Sequence, residues 1–341
     1  SLEDRVAIID SATQELPNVS ITTFQGLLVD FCRSVDANVI LRGLRAVTDF
    51  EFEFQIGLAN MDMAPSIETV FLLSEPKNIF IKDNQIYAEG NFIKLYNKKK
   101  FFTLLSKTTL NLEKSDFLLI RQDPPFNMNY ITTTYFLDRL KTVKIINNPT
   151  SIRNISEKLY SYEFIKFMPP TIFTSRISDI VSFVKQNKLS IIKPINGHGG
   201  NNIKLLKGKI NKPILAKYLK IHGYVMCQKF LPGIINGDKR VLIINGKVVG
   251  SFSRVPKKGS FLSNLSKGGT VITSKLTIKE KKISNLIAKK LKKDGIYFAG
   301  IDFISEKLNG DINVTSPTGL KNYFDLTGIN LAKIFWKEIR K

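Results

Sequence analysis

Cysteine, histidine and tryptophan are scarce in this chain: two, two and one among 341 residues. Cys32 and Cys227 cannot make a disulfide framework, and their separation argues against a redox pair, so a reducing cytoplasm is the expected setting. With His198 and His222 alone, a histidine-built metal centre is excluded; His222 reads as structural. No run of about eighteen apolar residues occurs, which excludes a membrane-spanning helix. Ser1–Asp10 lacks a basic stretch leading into an apolar core, and no secretory signal is expected. Lysine is absent from the first 75 residues.

What is present suits a folded chain. Hydrophobic residues at 43% and charged residues at 23% exclude disorder, and the length fits about two domains. Charge is unevenly divided. All 40 lysines lie at or after Lys77, while residues 1–75 hold twelve acids against Arg5, Arg33, Arg42 and Arg45. The whole chain carries +22, so the later segment is strongly basic. Such a break marks two segments of different origin or role. The excess is lysine scattered through Ile- and Asn-rich sequence, with few of the arginine forks that base readout uses. In Thr277–Lys293, Ile283, Leu286, Ile287 and Leu291 form an apolar stripe, and Lys281, Lys282, Lys289, Lys290, Lys292 and Lys293 fall mostly outside it. A solvated face is favoured, with no nucleic-acid and no membrane partner. The positive field would still attract small anions such as nucleotides.

Hydrophobic periodicity predicts alternating helices and strands through residue 75, with helices over 2–16, 26–35 and about 49–60 and strands over 19–24, 38–41 and 67–73. Asn78–Ile81 and Gln85–Ala88 suggest a hairpin around Asp83-Asn84. Alternation returns with strand Phe117–Arg121, helix Met128–Leu140, strand Val143–Asn147 and a helix from Ser151 to about Ile165. Strand Thr171–Thr174 and a helix near Ile177–Gln186 follow, and from Ile191 the pattern is mostly strands and hairpins. Asn245-Gly246 marks the turn between Arg240–Asn245 and Lys247–Arg254. Pro256–Gly269 reads as a mobile loop.

Arg42-Gly43-Leu44-Arg45-Ala46-Val47 with Asp49-Phe50-Glu51, preceded by Gly26-Leu27-Leu28-Val29-Asp30, resembles the C-terminal half of bacterial phosphopantetheine adenylyltransferase over about residues 3–75. That family's TGHxxxH-type phosphate site and serine-rich loop are absent, so adenylyl transfer is not expected from this segment, and Arg42 and Arg45 read as partners of nearby acids.

A second set of motifs covers the remainder: Arg121-Gln122-Asp123-Pro124-Pro125-Phe126, Lys193-Pro194, Gly197-His198-Gly199-Gly200, Gly237-Asp238-Lys239-Arg240, Gly300-Ile301-Asp302 and Ile312-Asn313-Val314-Thr315-Ser316-Pro317-Thr318. In this order they resemble the prokaryotic glutathione synthetases of the ATP-grasp superfamily, over about residues 77–341. The resemblance implies an ATP-grasp fold, α/β and α+β, preceded by a Rossmann-like parallel-sheet N-terminal region of hybrid origin. The implied division is 1–75 adenylyltransferase-like, 76–149 the remainder of the synthetase N-terminal domain, and 150–341 the catalytic domain. Strand Ile67–Leu73 is expected to pair parallel beside Phe117–Ile120.

Individual roles follow from the resemblance. Lys158 and Lys193 match lysines that reach ATP phosphates. Gly197, His198, Gly199 and Gly200 match the phosphate loop, although a glycine turn between strands explains them equally well by themselves. Gln228, Phe230 and Leu231 match the adenine linker, for which a plain strand end remains open. Arg240 and Arg254 would stabilise the transferring phosphoryl group and the carboxylate. Asp302, Asp311 and Asn313 match ligands of Mg²⁺ (or Mn²⁺), with Asp311 standing where Glu is usual and an extra residue in Asn309-Gly310. Asp238 and Asn264 are candidate substrate contacts; for Arg121 and Asp123, substrate contact and loop stiffening are both open. The loop 256–269 is expected to close over the intermediate. The implied activity is ligation of γ-glutamylcysteine and glycine through an acyl phosphate, releasing ADP and phosphate. Spacing alone supports an ATP- and Mg²⁺-dependent carboxylate–amine ligase. An ATP-binding but inactive hybrid and pantetheine-phosphate adenylyl transfer are the alternatives. Relatives of both segments form homo-oligomers, which leaves self-association open.

Overall fold

The computed structural model describes residues 69–71, 78–95, 102–122, 125–264 and 268–339. Helices and strands expected before residue 67, the adenylyltransferase-like motifs and Asp123 lie outside the described residues.

A three-stranded parallel sheet has the order β1 (Thr69–Phe71), β5 (Phe117–Leu119), β6 (Lys144–Ile146). Thr69 stands opposite Phe117 and Phe71 opposite Leu119, as the parallel pairing read from the sequence requires. β2 (Ile79–Lys82), β3 (Gln85–Leu95) and β4 (Phe102–Asn111) form an antiparallel sheet of their own. Asp83 (φ 50°) and Asn84 (φ 59°) sit in the left-handed region that a two-residue hairpin turn demands. Helix α1 (Met128–Leu137) starts under the Asn127 side chain, which accepts from the Asn129 and Tyr130 N–H groups.

The single helix expected over Ser151–Ile165 is not present. α2 (Pro149–Asn154) ends at an extended Ile155, a turn follows at Glu157–Lys158, and a 3₁₀ segment runs over Leu159–Phe167. Tertiary hydrogen bonds overrule the local pattern here: Ile312 N–H donates to the Glu157 carbonyl at 3.1 Å, and the Glu157 carboxylate accepts from the Val314 and Thr315 N–H groups at 2.8 and 3.1 Å. Backbone that must serve another strand cannot also close an α-helical turn.

Among the described residues after 170 there are two sheets. One runs β7 (Thr171–Thr174), β10 (Val225–Lys229), β8 (Leu189–Pro194), β9 (Lys204–Lys207), backed by α3 (Ile177–Asn187) and α4 (Lys212–His222). Ile180, Val184, Ile192, Leu215 and Val225 make its core, with the thiol of Cys227 among them; burial pushes that thiol up to about 12. His222 packs against the Tyr218 ring at 4.5 Å, the structural place read for it. The other sheet runs β13 (Thr270–Thr273), β12 (Lys247–Val255), β11 (Asp238–Ile244), β14 (Phe298–Ile304), β15 (Lys307–Asn313). Asn245 (φ 48°) and Gly246 (φ 75°) make the β11–β12 turn.

Helix α5 (Ile278–Lys293) packs on this second sheet through Ile283, Ile287 and Leu291. Thr277 and Glu280 close a reciprocal capping box at its start. Leu286, expected in the stripe, is 44% exposed because it lies roughly 100° round the helix from the stripe's middle. Five of the six lysines named on this helix are exposed; Lys290 bonds Asp294 and Glu163. Two C-terminal helices, α6 (Leu320–Thr327) and α7 (Leu331–Ile339), were not resolved by the pattern of strands and hairpins. α7 buries Phe335 and Trp336 against Phe117, Phe298 and Leu242.

Asn147, just past β6, fastens the parallel sheet to this second sheet. Its side-chain amide donates to the Phe298 and Val314 carbonyls, each at 2.8 Å, and its oxygen accepts from the Tyr297 and Phe298 N–H groups at 2.9 and 2.7 Å.

Candidate active site

A cleft with about 950 Å³ of empty space, open to solvent, lies where the two catalytic sheets face each other. Lys158, Lys193, Gly197, His198, Gly199, Gly200, Gln228, Phe230, Leu231, Asp238, Arg240, Arg254, Asn264, Asp302, Asp311 and Asn313 all line it. Of the residues singled out from sequence, Arg121 stands outside, where its guanidinium donates to the Pro317 carbonyl at 2.9 Å and joins the end of the segment after β5 to the segment after β15.

Register builds the charged wall. Asp238 and Arg240 are two apart on β11 and so share a face. Asp238 stands opposite Arg254 on β12, and Arg240 opposite Asp302 on β14. The Arg254 fork meets the Asp238 carboxylate at 2.9 and 2.5 Å and reaches Asp302 at 3.0 Å; the Arg240 fork holds Asp302 at 2.5 and 2.9 Å. Gly300 clears the way for Arg240, whose Nη1 would lie 3.0 Å from any Cβ there. The two arginines therefore face different strands rather than each other, and Asp302 joins them.

A second charged group lies across the cleft. Lys193, buried at the inner part of β8, bonds Asp311 at 3.0 Å and both oxygens of Asn309; Lys158 donates to the Gly197 carbonyl and lies 3.5 Å from Asp311. Burial works to raise the Asp311 and Asp302 carboxyls, but the lysines beside the first and the arginines beside the second outweigh it, and both are held below the usual carboxylate range. Burial likewise lowers Arg254, and Asp302 and Asp238 reverse it, leaving the guanidinium raised.

The sign of the pH dependence follows. Carboxyls depressed on folding add stability that is fully present above their unfolded value of about 3.9 and is lost as pH falls through the folded values. Urea unfolding of the chain is expected to give a flat stability from about pH 6 to 8 and a steep decline below about pH 4. A decline that begins near neutral pH would contradict this arrangement.

The cleft also has apolar lining. Ile191, Ile203, Phe230, Leu231, Ile234, Phe261 and Ile304 form a slot next to Gln228, whose own side chain is buried and bonded to Thr171. The Phe230 N–H is committed to the Leu189 carbonyl. Gly199 (φ 59°) and Gly200 (φ 74°) take left-handed backbone that carries the loop back over the cleft. A Cβ on Gly200 would lie 2.6 Å from the Asn264 side chain, so the segment Phe261–Asn264 roofs the glycine loop. Phe261 meets Phe230 edge-on at 6.1 Å.

Asp302, Asp311 and Asn313 offer two carboxylates and one amide from neighbouring strands, with the Asn313 side chain 3.4 Å from Asp302. Such hard oxygen donors fit Mg²⁺ or Mn²⁺ that keeps water and phosphate in its other positions. Among the described residues no group of three or more His, Cys, Asp or Glu is placed to hold a metal. Sequence reasoning missed Asn309 and Glu157. Asn309 was noted only as part of an insertion, and Glu157 shows its use only through its bonds to residues 312–315.

Two family models match the chain: the prokaryotic glutathione synthetase ATP-grasp domain over residues 157–328 and the N-terminal domain of the same enzymes over residues 57–153. The chain belongs to the prokaryotic glutathione synthetase family. It is an ATP-dependent carboxylate–amine ligase by that membership. It is 34% identical to the glutathione synthetase of Agrobacterium fabrum over 274 residues, 78% of this chain and 85% of that one. It is 40% identical to that of Prochlorococcus marinus subsp. pastoris over 226 residues, 65% of this chain and 73% of that one. The N-terminal match begins at residue 57, inside the lysine-free segment. Among solved structures, the ATP-grasp ligase PsnB complexed with a phosphomimetic precursor variant, Mg and ADP is similar at TM-score 0.58 and 12% identity, covering 86% of this chain and 95% of that one. The D-alanine–D-alanine ligase from Bacillus anthracis complexed with ATP is similar at TM-score 0.51 and 16% identity, covering 67% and 80%. At such identities these structures show the ATP-grasp fold alone.

Proposed function

We propose that this synthetase-family chain joins γ-glutamylcysteine to glycine in the cleft between its two catalytic sheets, using ATP and Mg²⁺ (or Mn²⁺). The observation that carries this is the convergence of Lys193, Arg240 and Asp302, which lie on three different strands, in one cleft that also contains the apolar slot. The slot takes the base between Phe230, Leu231 and neighbouring apolar side chains. Lys158, Lys193 and the N–H groups of Gly197–Gly200 take phosphate oxygens.

A carboxylate is a poor electrophile. Its oxygen attacks the γ-phosphorus, ADP departs, and the acyl phosphate is then attacked by the glycine amine with loss of phosphate and a proton. Arg240 and Arg254 hold the charge that develops on the transferred group, and Asp302, Asp311 and Asn313 are the residues to hold the divalent cation. That cation, when bound, supplies neutralisation of phosphate charge. Asp238 acts through Arg254, while Asn264, Arg121 and Asp123 serve the peptide end. The roof at 261–264 keeps water from the acyl phosphate. Residues 76–149 and 150–341 are the N-terminal remainder and catalytic domain in this scheme. The adenylyltransferase-like origin of 1–75 rests on its motif alone, and self-association is left open.

A coupled assay tests the proposal. ADP and glutathione should appear in equal amounts, only with both dipeptide and glycine present, and chelation with EDTA should stop turnover. Release of pyrophosphate, or ATP binding without ADP formation, would overturn it.

A further inference from the structure

Lys193 is 2% exposed, and its ammonium has three hydrogens to donate. Three acceptors surround it: the Asn309 carbonyl at 2.9 Å, the Asn309 side-chain oxygen at 3.1 Å and Asp311 Oδ2 at 3.0 Å. No hydrogen remains for a phosphate. Lys158 is held by the same carboxylate, at 3.5 Å from Asp311 Oδ1. One aspartate thus ties both lysines that the proposed function assigns to phosphate.

The backbone that delivers these acceptors is irregular. Ile301 pairs with Ile312 and Phe303 with Leu308, so β15 carries two residues more than β14 across this stretch. Gly310 (φ 83°) sits in that bulge, where a Cβ would press on the Met168 and Met226 methyl groups at 2.8 and 2.9 Å. The bulge presents Asn309 and Asp311 to the same ammonium. The two acceptors differ in kind. Asn309 is neutral and does not repel an incoming phosphate, whereas Asp311 repels it and competes for the lysines.

We propose that Asn309 is a positioning residue for Lys193 and that Asp311 is a latch on both lysines, released when its carboxylate turns to a divalent cation. Polyphosphate and metal then bind this chain cooperatively, one hydrogen of Lys193 being freed for phosphate while Asn309 keeps the other two aligned. The inference rests on the nucleotide and metal sites of the proposed function.

Calorimetric titration with ADP and with adenosine, each in EDTA and in Mg²⁺, tests it without turnover. The wild-type chain should bind ADP far more tightly with Mg²⁺. Asp311→Asn should tighten ADP in EDTA by about tenfold, the scale of one charge-assisted hydrogen bond, lose most of the metal gain, and leave adenosine unchanged. Asp238→Asn removes the same charge from the arginine side of the cleft and should not tighten ADP in EDTA. Asn309→Ala should weaken ADP several-fold in both conditions, spare adenosine and keep the metal gain. It decides the positioning role alone if Asp311→Asn does not fold. An Asp311→Asn protein no tighter for ADP in EDTA, or an equal gain from Asp238→Asn, overturns the latch, and unchanged ADP affinity in Asn309→Ala overturns the positioning role, each leaving the nucleotide site intact. Wild-type protein that binds no ADP even with Mg²⁺ overturns both.

Discussion

Arg254→Ala is expected to lower kcat/KM for the ligation by about 10³-fold, the scale of losing a donor aimed at developing charge in a water-poor site. The guanidinium reaches Asp238 and Asp302 together and both carboxylates are buried, so truncation also strands one negative charge, that of Asp238. Breaking a buried pair by removing one partner costs about 3–5 kcal/mol of stability. Asp302 keeps Arg240 after the change, and Asp238 loses the partner that faces it across the ladder. Arg254→Lys retains the charge but not the fork that meets Asp238 at two points, and recovers little activity. Steady-state kinetics with thermal unfolding separates the two losses: saturating ADP analogue restores stability in part and leaves kcat depressed. An Arg254→Ala enzyme within tenfold of wild type would remove this arginine from the chemistry.

Asn147→Ala is expected to destabilise the fold by about 4 kcal/mol or more, since four buried backbone groups lose their partner at roughly 1–3 kcal/mol each, less what relaxation recovers. The residue is 4% exposed and meets two carbonyls and two N–H groups with a side chain that has two donors and one accepting oxygen. Asn147→Asp should be at least as damaging, because a carboxylate cannot donate to the Phe298 and Val314 carbonyls and sets a charge against them. Asn147→Ala loses the link between the parallel sheet and β14 without touching the cleft. Urea melts are therefore expected to show an early transition, with residual activity lost in parallel. A midpoint unchanged from wild type would show that the two sheets are held by their apolar faces alone.

Much of this was legible in the sequence wherever a local rule and the tertiary structure agree. Asn245-Gly246 and Asp83-Asn84 announce their hairpins because few other residue pairs take left-handed backbone in succession. The β1–β5 pairing was legible because alternating helices and strands leave a parallel neighbour as the simple outcome. The cleft residues followed from motif order, and sixteen of them meet in the structure. The misses share a cause. Ser151–Ile165 has a helical pattern, yet Glu157 spends its carbonyl on β15, a partner 155 residues away in the chain, and its carboxylate on the residues just after that strand. Asn147 looks like any strand end until its four partners come from 150 or more residues later. Asn309 carries no motif at all, and its part depends on a bulge that only paired strands define. The two arginines lie on paired hairpin strands, as the sequence suggested, but their carboxylate partners Asp238 and Asp302 could not be read, since pairing across β11 is a matter of register and not of residue type.

The contact of Gly200 with Asn264, and of Phe230 with Phe261, has a kinetic consequence. If the nucleotide of the proposed function sits beneath Phe261–Asn264, its release is expected to follow the opening of that segment. Turnover at saturation would then be governed by solvent friction on a polypeptide segment rather than by bond making, and would slow in glycerol or sucrose in proportion to viscosity.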